Sequence, residues 1–308
     1  MTYSVGGTIQ AADYNGFVGT TAVNAPYASS GAATDKVAAL IGVGYGDRGY
    51  GQISTTLADV AVGNTITAVQ WNNLLNAMST LNTHQGSGLT LQPTVASGGT
   101  ITYQSSIPTN IATLDTNRLL ANVTQMTVSS VLTSSISTPW NGTITHVFTV
   151  DFGSENAARY FFNSGGQIRW SGSNTGGSTG SAAAWAALLS VMGTIKMDSN
   201  TTTYTGSGGI ITNNVGYYGL TDSLVQTFIH YGANAPYSGI YYSIQVSRGN
   251  YVGANGGNGS LINCTVTFSD ASGGTGNVDG TTTSAINQYK AGGVLAIASP
   301  TFTTTTPL

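Results

Sequence analysis

The chain has 308 residues, of which only 8 are Lys or Arg and 11 are Asp or Glu, for a net charge of −3. An ordinary soluble domain is about 25% charged. So few cations exclude phosphate-driven nucleic-acid binding, and no apolar run reaches the ~18 residues that membrane insertion needs.

Hydrophobic residues make up 40% of the chain, enough for a sizeable core. The start, Met1-Thr2-Tyr3-Ser4, reads as lacking the basic and apolar regions of a signal peptide. The one cysteine, Cys264, has no internal partner. Synthesis in a reducing cytoplasm is therefore expected.

The first predicted helix to carry a clear start signal begins after Thr67. Thr67 with Gln70 fits a capping box, and Trp71, Leu74, Leu75, Met78 and Leu81 follow at helical spacing up to a stop near Gly86. An earlier helix is predicted over 34–41. The stretch Thr8-Ile9-Gln10-Ala11-Ala12-Asp13-Tyr14-Asn15 echoes Thr65-Ile66-Thr67-Ala68-Val69-Gln70-Trp71-Asn72, which suggests two equivalent helix starts. Between them the Gly-rich run 42–52 reads as a tight turn that brings Asp47 and Arg48 together and packs two tyrosines. It lacks the Gly-Lys-Ser/Thr ending of a phosphate-cradling loop. A further amphipathic helix is predicted over 110–121, with Asp115 and Arg118 as an i,i+3 pair.

Beyond residue 123 the hydrophobic period shifts towards two. Strands are predicted at 125–131, 143–152, 167–170, 209–212, 224–231, 240–247, 261–268 and 294–298, separated by Gly, Asn and Ser clusters. Two helices interrupt the series, one capped by Ser154 and stopped at Gly165 or Gly166, the other following Ser181 and stopped at Gly193. The expected fold is α+β: a small N-terminal helical region (1–88), a connector (89–122) and a β-rich, sandwich-like domain with two inserted helices (123–308).

Few residues offer chemistry. His84, His146 and His230 have no second ligand at metal-binding spacing, and Cys264 reads as a small buried hydrophobe. Asp151, Glu155 and Asp198 are the nearest approach to the carboxylate pair of a glycosidase, but Glu155 is already explained as a helix-start residue. Asp270 and Asp279 sit in loops without a calcium-binding pattern. No catalytic residue, cofactor or metal is therefore expected. The exposed-looking pairs Tyr217-Tyr218 and Tyr241-Tyr242 are the candidate surface contact residues, with faces that suit sugars, against the favoured reading of ordinary strand packing and inter-subunit contact.

Several blocks are similar to one family. They are Ile9 to Asn15, the run Gly42-Val43-Gly44-Tyr45-Gly46-Asp47-Arg48-Gly49-Tyr50-Gly51-Gln52, the Ile66 to Leu74 stretch, Ala157 to Arg169, above all its Tyr160-Phe161-Phe162-Asn163-Ser164-Gly165-Gly166, and Val278-Asp279-Gly280 with the closing strand. Together they resemble a family of tailed-bacteriophage virion proteins found in phages of cyanobacteria and other aquatic bacteria. The resemblance implies a non-enzymatic, tail-fibre-like structural component of the particle, with no catalytic residues to carry over. A head or neck decoration protein is the alternative, and a glycan-degrading tail protein ranks third. The implied partners are other copies of the chain, with a trimer expected, other virion proteins and a host surface glycan; nucleic acid and membrane insertion are not expected. The near-neutral surface is independently suited to self-association.

Overall fold

The computed structural model describes residues 9–19, 37–52, 57–102, 104–271 and 276–305. Residues 34–36 of the predicted helix, Thr8 of the echo and most of the turn near 272–276 lie outside them. The fold is α+β, as the sequence predicts.

Four helices form the N-terminal part: α1 (Ala11–Val18), α2 (Val37–Ile41), α3 (Ala68–Gln85) and α4 (Ser106–Thr116). At the start of α3 the Thr67 hydroxyl accepts from the Gln70 N–H (3.2 Å), and the Gln70 amide oxygen accepts from the Thr67 N–H (2.9 Å). The helix ends at Gly86, which takes the left-handed φ of +67° and donates its N–H to Asn82 O. Trp71, Leu74, Leu75, Met78 and Leu81 are all buried on one face. The fourth helix begins a turn earlier than its apolar pattern suggests and packs against α1 and α3, so 106–116 extend the helical layer. The Asp115 and Arg118 side chains form no ion pair, and Arg118 donates instead to the Asp115 carbonyl (2.9 Å). Asp115 takes two bonds from Arg48 (2.8 and 3.1 Å), and Arg118 reaches Asp47 (2.6 Å), which makes one cluster of alternating charge on the Gly-rich loop.

The sequence echo has a structural meaning. Tyr14 and Trp71 are both buried, and the Tyr14 hydroxyl donates to Gln70 O (3.2 Å). Asn15 clamps Val60, donating to its carbonyl (2.9 Å) and accepting from its N–H (2.8 Å); Asn72 holds Val95 the same way (2.9 and 2.8 Å). Asn82 repeats the device on Leu89. A carboxamide has one donor side and one acceptor side, so it can stand in for a neighbouring strand and satisfy an extended segment that has none.

The remainder is β-rich. One sheet has the order β1 (Met126–Ile136), β10 (Thr281–Ala291), β3 (Gln167–Thr175), β4 (Ile195–Met197), β5 (Thr202–Tyr204). The other runs β11 (Thr301–Thr305), β2 (Gly142–Asp151), β9 (Leu261–Asp270), β8 (Ile240–Gly249), β7 (Val225–Tyr231), β6 (Ile210–Ile211). All pairings are antiparallel. The inner faces meet: Tyr204 of β5 lies 5.2 Å from Phe228 of β7, ring to ring, and Gly172 of β3 leaves room for Tyr242 and Phe268. Helix α5 (Glu155–Asn163) follows β2, and α6 (Gly180–Met192) follows β3, where Trp185 packs on Trp140 and Phe268. Thr179 rather than Ser181 caps α6, its hydroxyl accepting from the Ala182 N–H (3.1 Å).

Strands β4, β5, β10 and β11 lie outside the predicted series, and one predicted strand is lost. The predicted strand 294–298 is unpaired chain with Leu295 and Ile297 turned inward, and Gln52 clamps Ala296 through both amide atoms (3.3 Å each). The closing strand is β11, which pairs with β2. The inner strand β10, between β1 and β3, carries no apolar alternation, because its buried residues include Thr282, Ser284 and Gln288 beside Ile286.

Replacing Trp71 with Ala should lower stability by about 3–5 kcal/mol, and Thr67→Ala by about 1 kcal/mol through the lost cap. Denaturant titration measures both; two equal, negligible effects would contradict the packing of α3.

Candidate functional site: a helix held between two glycine loops

The most built polar arrangement in the described chain surrounds α5. Ser154 starts the helix by accepting from the Ala157 N–H (3.1 Å), and Gly165 ends it with φ +77°. Glu155, Arg159 and Asn163 follow at spacings of four, so they share one face of the helix, and all three are buried.

Each of them grips backbone. The Glu155 carboxylate accepts N–H groups from Val252 (2.7 Å), Gly253 (3.1 Å), Ala254 and Gly259 (3.1 Å). Burial pushes this carboxyl up, but the four donors outweigh it and hold the group below its usual range. Arg159 works in the opposite sense. Its guanidinium donates to the carbonyls of Gly46 (3.2 Å), Val43 (3.3 Å) and Arg48 (2.8 Å), and to Asn156 Oδ1 (2.8 Å). Asn163 adds bonds to Gly46 O (3.0 Å) and Gly49 O (3.1 Å). One helix face thus binds the donors of the 252–259 loop and the acceptors of the 42–52 loop, and the loops meet where Gly46 N donates to Asn255 O (2.8 Å).

Glycine is required for this convergence. Gly44 has φ +56°, and a Cβ there would strike the Arg48 carbonyl; at Gly51 (φ +67°) it would strike the Tyr160 ring. The sequence signal was available as Glu155, Arg159 and Asn163 in one stripe of an otherwise apolar helix. Reading Glu155 only through the helix dipole missed it.

The four candidate tyrosines do not form one surface. Tyr217 is fully buried: it stacks on Phe162 (4.7 Å between rings), donates to Gly259 O (2.9 Å) and accepts from the Asn258 N–H (2.8 Å). The half-buried Tyr218 joins the clasp, its hydroxyl lying between Gly46 O and Asn163 Oδ1. Tyr242 is fully buried between the sheets against Phe268 (5.1 Å). Tyr241 alone faces outward on its strand, half-buried beside the exposed Tyr231 (5.9 Å). The expectation of exposed pairs is therefore corrected. In β8 alternate side chains take opposite faces, so adjacent tyrosines cannot share one, and in the 217–219 turn the first ring fills the core.

The other candidate acids also hold backbone. Asp151 accepts from the Gly153 N–H (2.7 Å), and Asp198 from the N–H groups of Asn200 (2.8 Å) and Thr201 (2.7 Å). Asp279 accepts from the N–H and hydroxyl groups of Ser178 and Thr179, which hold its carboxyl well below the usual range. Cys264 is buried in β9, and burial pushes its thiol up. Among the described residues no group of three or more His, Cys, Asp or Glu is placed to hold a metal ion, and no helix is long and apolar enough to cross a membrane.

Of the clefts that open at the surface among the described residues, two have distinct walls. One, of about 390 Å³, lies between α6 and the β7–β8 turn, with Ala183, Ala187, Leu188 and Ile240 in its walls. The other, of about 510 Å³, lies between the 119–123 segment, β3 and the turn at 198–201. Compared with known proteins, the chain matches no family model, no curated protein and no solved structure.

Two core histidines make stability depend on pH. Burial lowers both His84 and His146 to about 4, so each stays neutral in the fold while the unfolded chain binds a proton below about 6.5. Stability therefore falls as pH drops from about 6.5 towards 4, by about 1–2 kcal/mol per histidine at pH 5. The window above pH 5 precedes carboxylate titration. Neither ring nitrogen of His146 has a hydrogen-bond partner among the described residues, so His146→Leu leaves no group unpaired. Melting temperatures at pH 7 and pH 5 should differ less in that variant than in the native protein; an identical difference would contradict the assignment.

Proposed function

We propose that the chain is a non-enzymatic structural component of a bacteriophage virion, associated with the tail as a fibre, baseplate or adhesion subunit. The observation that carries the reading is that the groups which could do chemistry are engaged in holding backbone. The Gly-rich 42–52 loop is filled by Arg159 and Asn163, and the Asp151, Glu155 and Asp198 carboxylates each accept from backbone N–H groups.

Three further features support a particle role. Two of the blocks that resemble phage virion proteins, the 42–52 run and the one in α5, meet in the clasp. The low charge suits permanent assembly, because little repulsion opposes contact between subunits. The helical part and the sandwich are joined through buried polar bonds, an arrangement suited to a rigid projecting subunit. In this reading the chain assembles with itself as a closed trimer, docks onto other virion proteins through its N-terminal part and presents the β-rich part to a host surface glycan.

Labelled antibody on purified particles of the encoding phage, with light scattering of the recombinant protein, tests this. Label on the tail and a mass three times the 31.4 kDa chain are expected. Label on the head would favour a decoration protein, and a species that stays monomeric on concentration would refute the self-association.

A further inference from the structure

The 510 Å³ cleft contains a cation that forms no ion pair among the described residues. Arg169 of β3 is fixed on three sides: its guanidinium carbon sits 3.8 Å above the Tyr289 ring, and its Nε and one terminal nitrogen both donate to Gln167 Oε1 (2.9 and 2.7 Å). The remaining terminal nitrogen has no hydrogen-bond partner among the described residues. Burial is the main influence on this guanidinium and lowers it from its ordinary range, with no carboxylate acting against that pull.

A second cation stands beside it. Lys196 of β4 is directly opposite Arg169 in the strand register, so both side chains leave the same face of the sheet. Like charges directly opposite each other are destabilising, and neither forms an ion pair with an acid among the described residues. With eight basic residues in the whole chain, an unpaired adjacent pair is a notable concentration of positive charge.

The surroundings decide what kind of anion fits. Asp198 lines the cleft with Oδ1 accepting from the Asn200 and Thr201 N–H groups and Oδ2 from the Thr201 hydroxyl (3.0 Å), and the side-chain amide of Asn200 stands beside it. Such groups exchange hydrogen bonds with hydroxyls, and a carboxylate at that position disfavours a small, highly charged anion. The opposite rim carries the exposed apolar side chains Leu120 and Val123, which suit the C–H face of a ring. The volume falls in the ordinary range for small-ligand sites of about 300–1,000 Å³.

We propose that this cleft binds an acidic saccharide, its carboxylate seated on Arg169, with Lys196 opposite in the strand register adding positive charge on the same sheet face, and its hydroxyls on the 198–201 turn. The inference names the chemistry of the glycan in the proposed role and rests on that role only for where the ligand comes from. A chain that binds the saccharide yet is absent from particles would refute the role and leave the site standing.

The test is titration calorimetry of the full chain at low salt with trigalacturonate, its methyl ester and sodium acetate. The free acid should bind at least tenfold more tightly than the ester, and more tightly than acetate. Arg169→Gln and Lys196→Gln should each weaken it at least fivefold, with melting temperatures measured alongside. The Lys196 variant alters no hydrogen bond of the fold and keeps the test valid if Arg169→Gln does not fold. Equal binding of acid and ester, no heat at millimolar ligand, or unchanged affinity in the Lys196 variant would overturn the proposal. Acetate binding as tightly as trigalacturonate would overturn the saccharide assignment.

Discussion

The structure depends on how a buried guanidinium is satisfied. Arg159 is fully enclosed, and its hydrogen bonds go to three main-chain carbonyls and one side-chain amide oxygen rather than to a carboxylate. Burying a cation is costly unless its donors are met. Meeting these donors requires the 42–52 segment to fold back until the carbonyls of Val43, Gly46 and Arg48 converge. Only residues tolerant of positive φ and close approach allow that path, which accounts for glycine at 44, 46, 49 and 51. The same helix presents Glu155 to the converging N–H groups of the 252–259 loop. A carboxylate for donors and a guanidinium for acceptors, one turn apart, tie two loops far apart in sequence to one helix. The helical layer and the sandwich are thereby joined.

Such bonding suits a chain with few charges. Four of them, Asp47, Arg48, Asp115 and Arg118, form one cluster where the loop meets the end of α4. Elsewhere carboxamides do the work that ion pairs and strand neighbours do in other proteins. Asn15, Asn72, Asn82 and Gln52 each hold one extended residue through its N–H and its C=O. An amide pays no ionic desolvation when it is half-buried and is insensitive to pH and salt. Against this background Arg169 and Lys196 stand out as adjacent cations that form no ion pair among the described residues.

Much of this architecture was legible in the sequence. Helix α3 declares itself through Thr67, Gln70, its apolar face and Gly86, because caps and periodicity are local. The strands at β2, β7, β8 and β9 follow from alternation. The strand β10 was not legible, since Thr282, Ser284 and Gln288 face inward and erase the pattern. The segment 294–298 misled for the opposite reason: Leu295 and Ile297 alternate like a strand, yet the partner of that backbone is the side chain of Gln52. The clasp lay in between. Its stripe of Glu155, Arg159 and Asn163 is visible in the sequence, but the loops it binds are set by tertiary contacts. Burial of Tyr217 and Tyr242 likewise depends on which face of each element turns inward, a fact that neighbouring residues do not determine.

If the clasp joins the two parts, they unfold together. Hydrogen exchange along a denaturant titration, read at the amides of α3 and of β9, measures this in the native protein and in Arg159→Met. The native chain should show both sets of amides opening in one coincident transition. In the variant, α3 should open at lower denaturant than β9. Separate transitions in the native protein, or coincident opening in the variant at the native midpoint, would contradict the account.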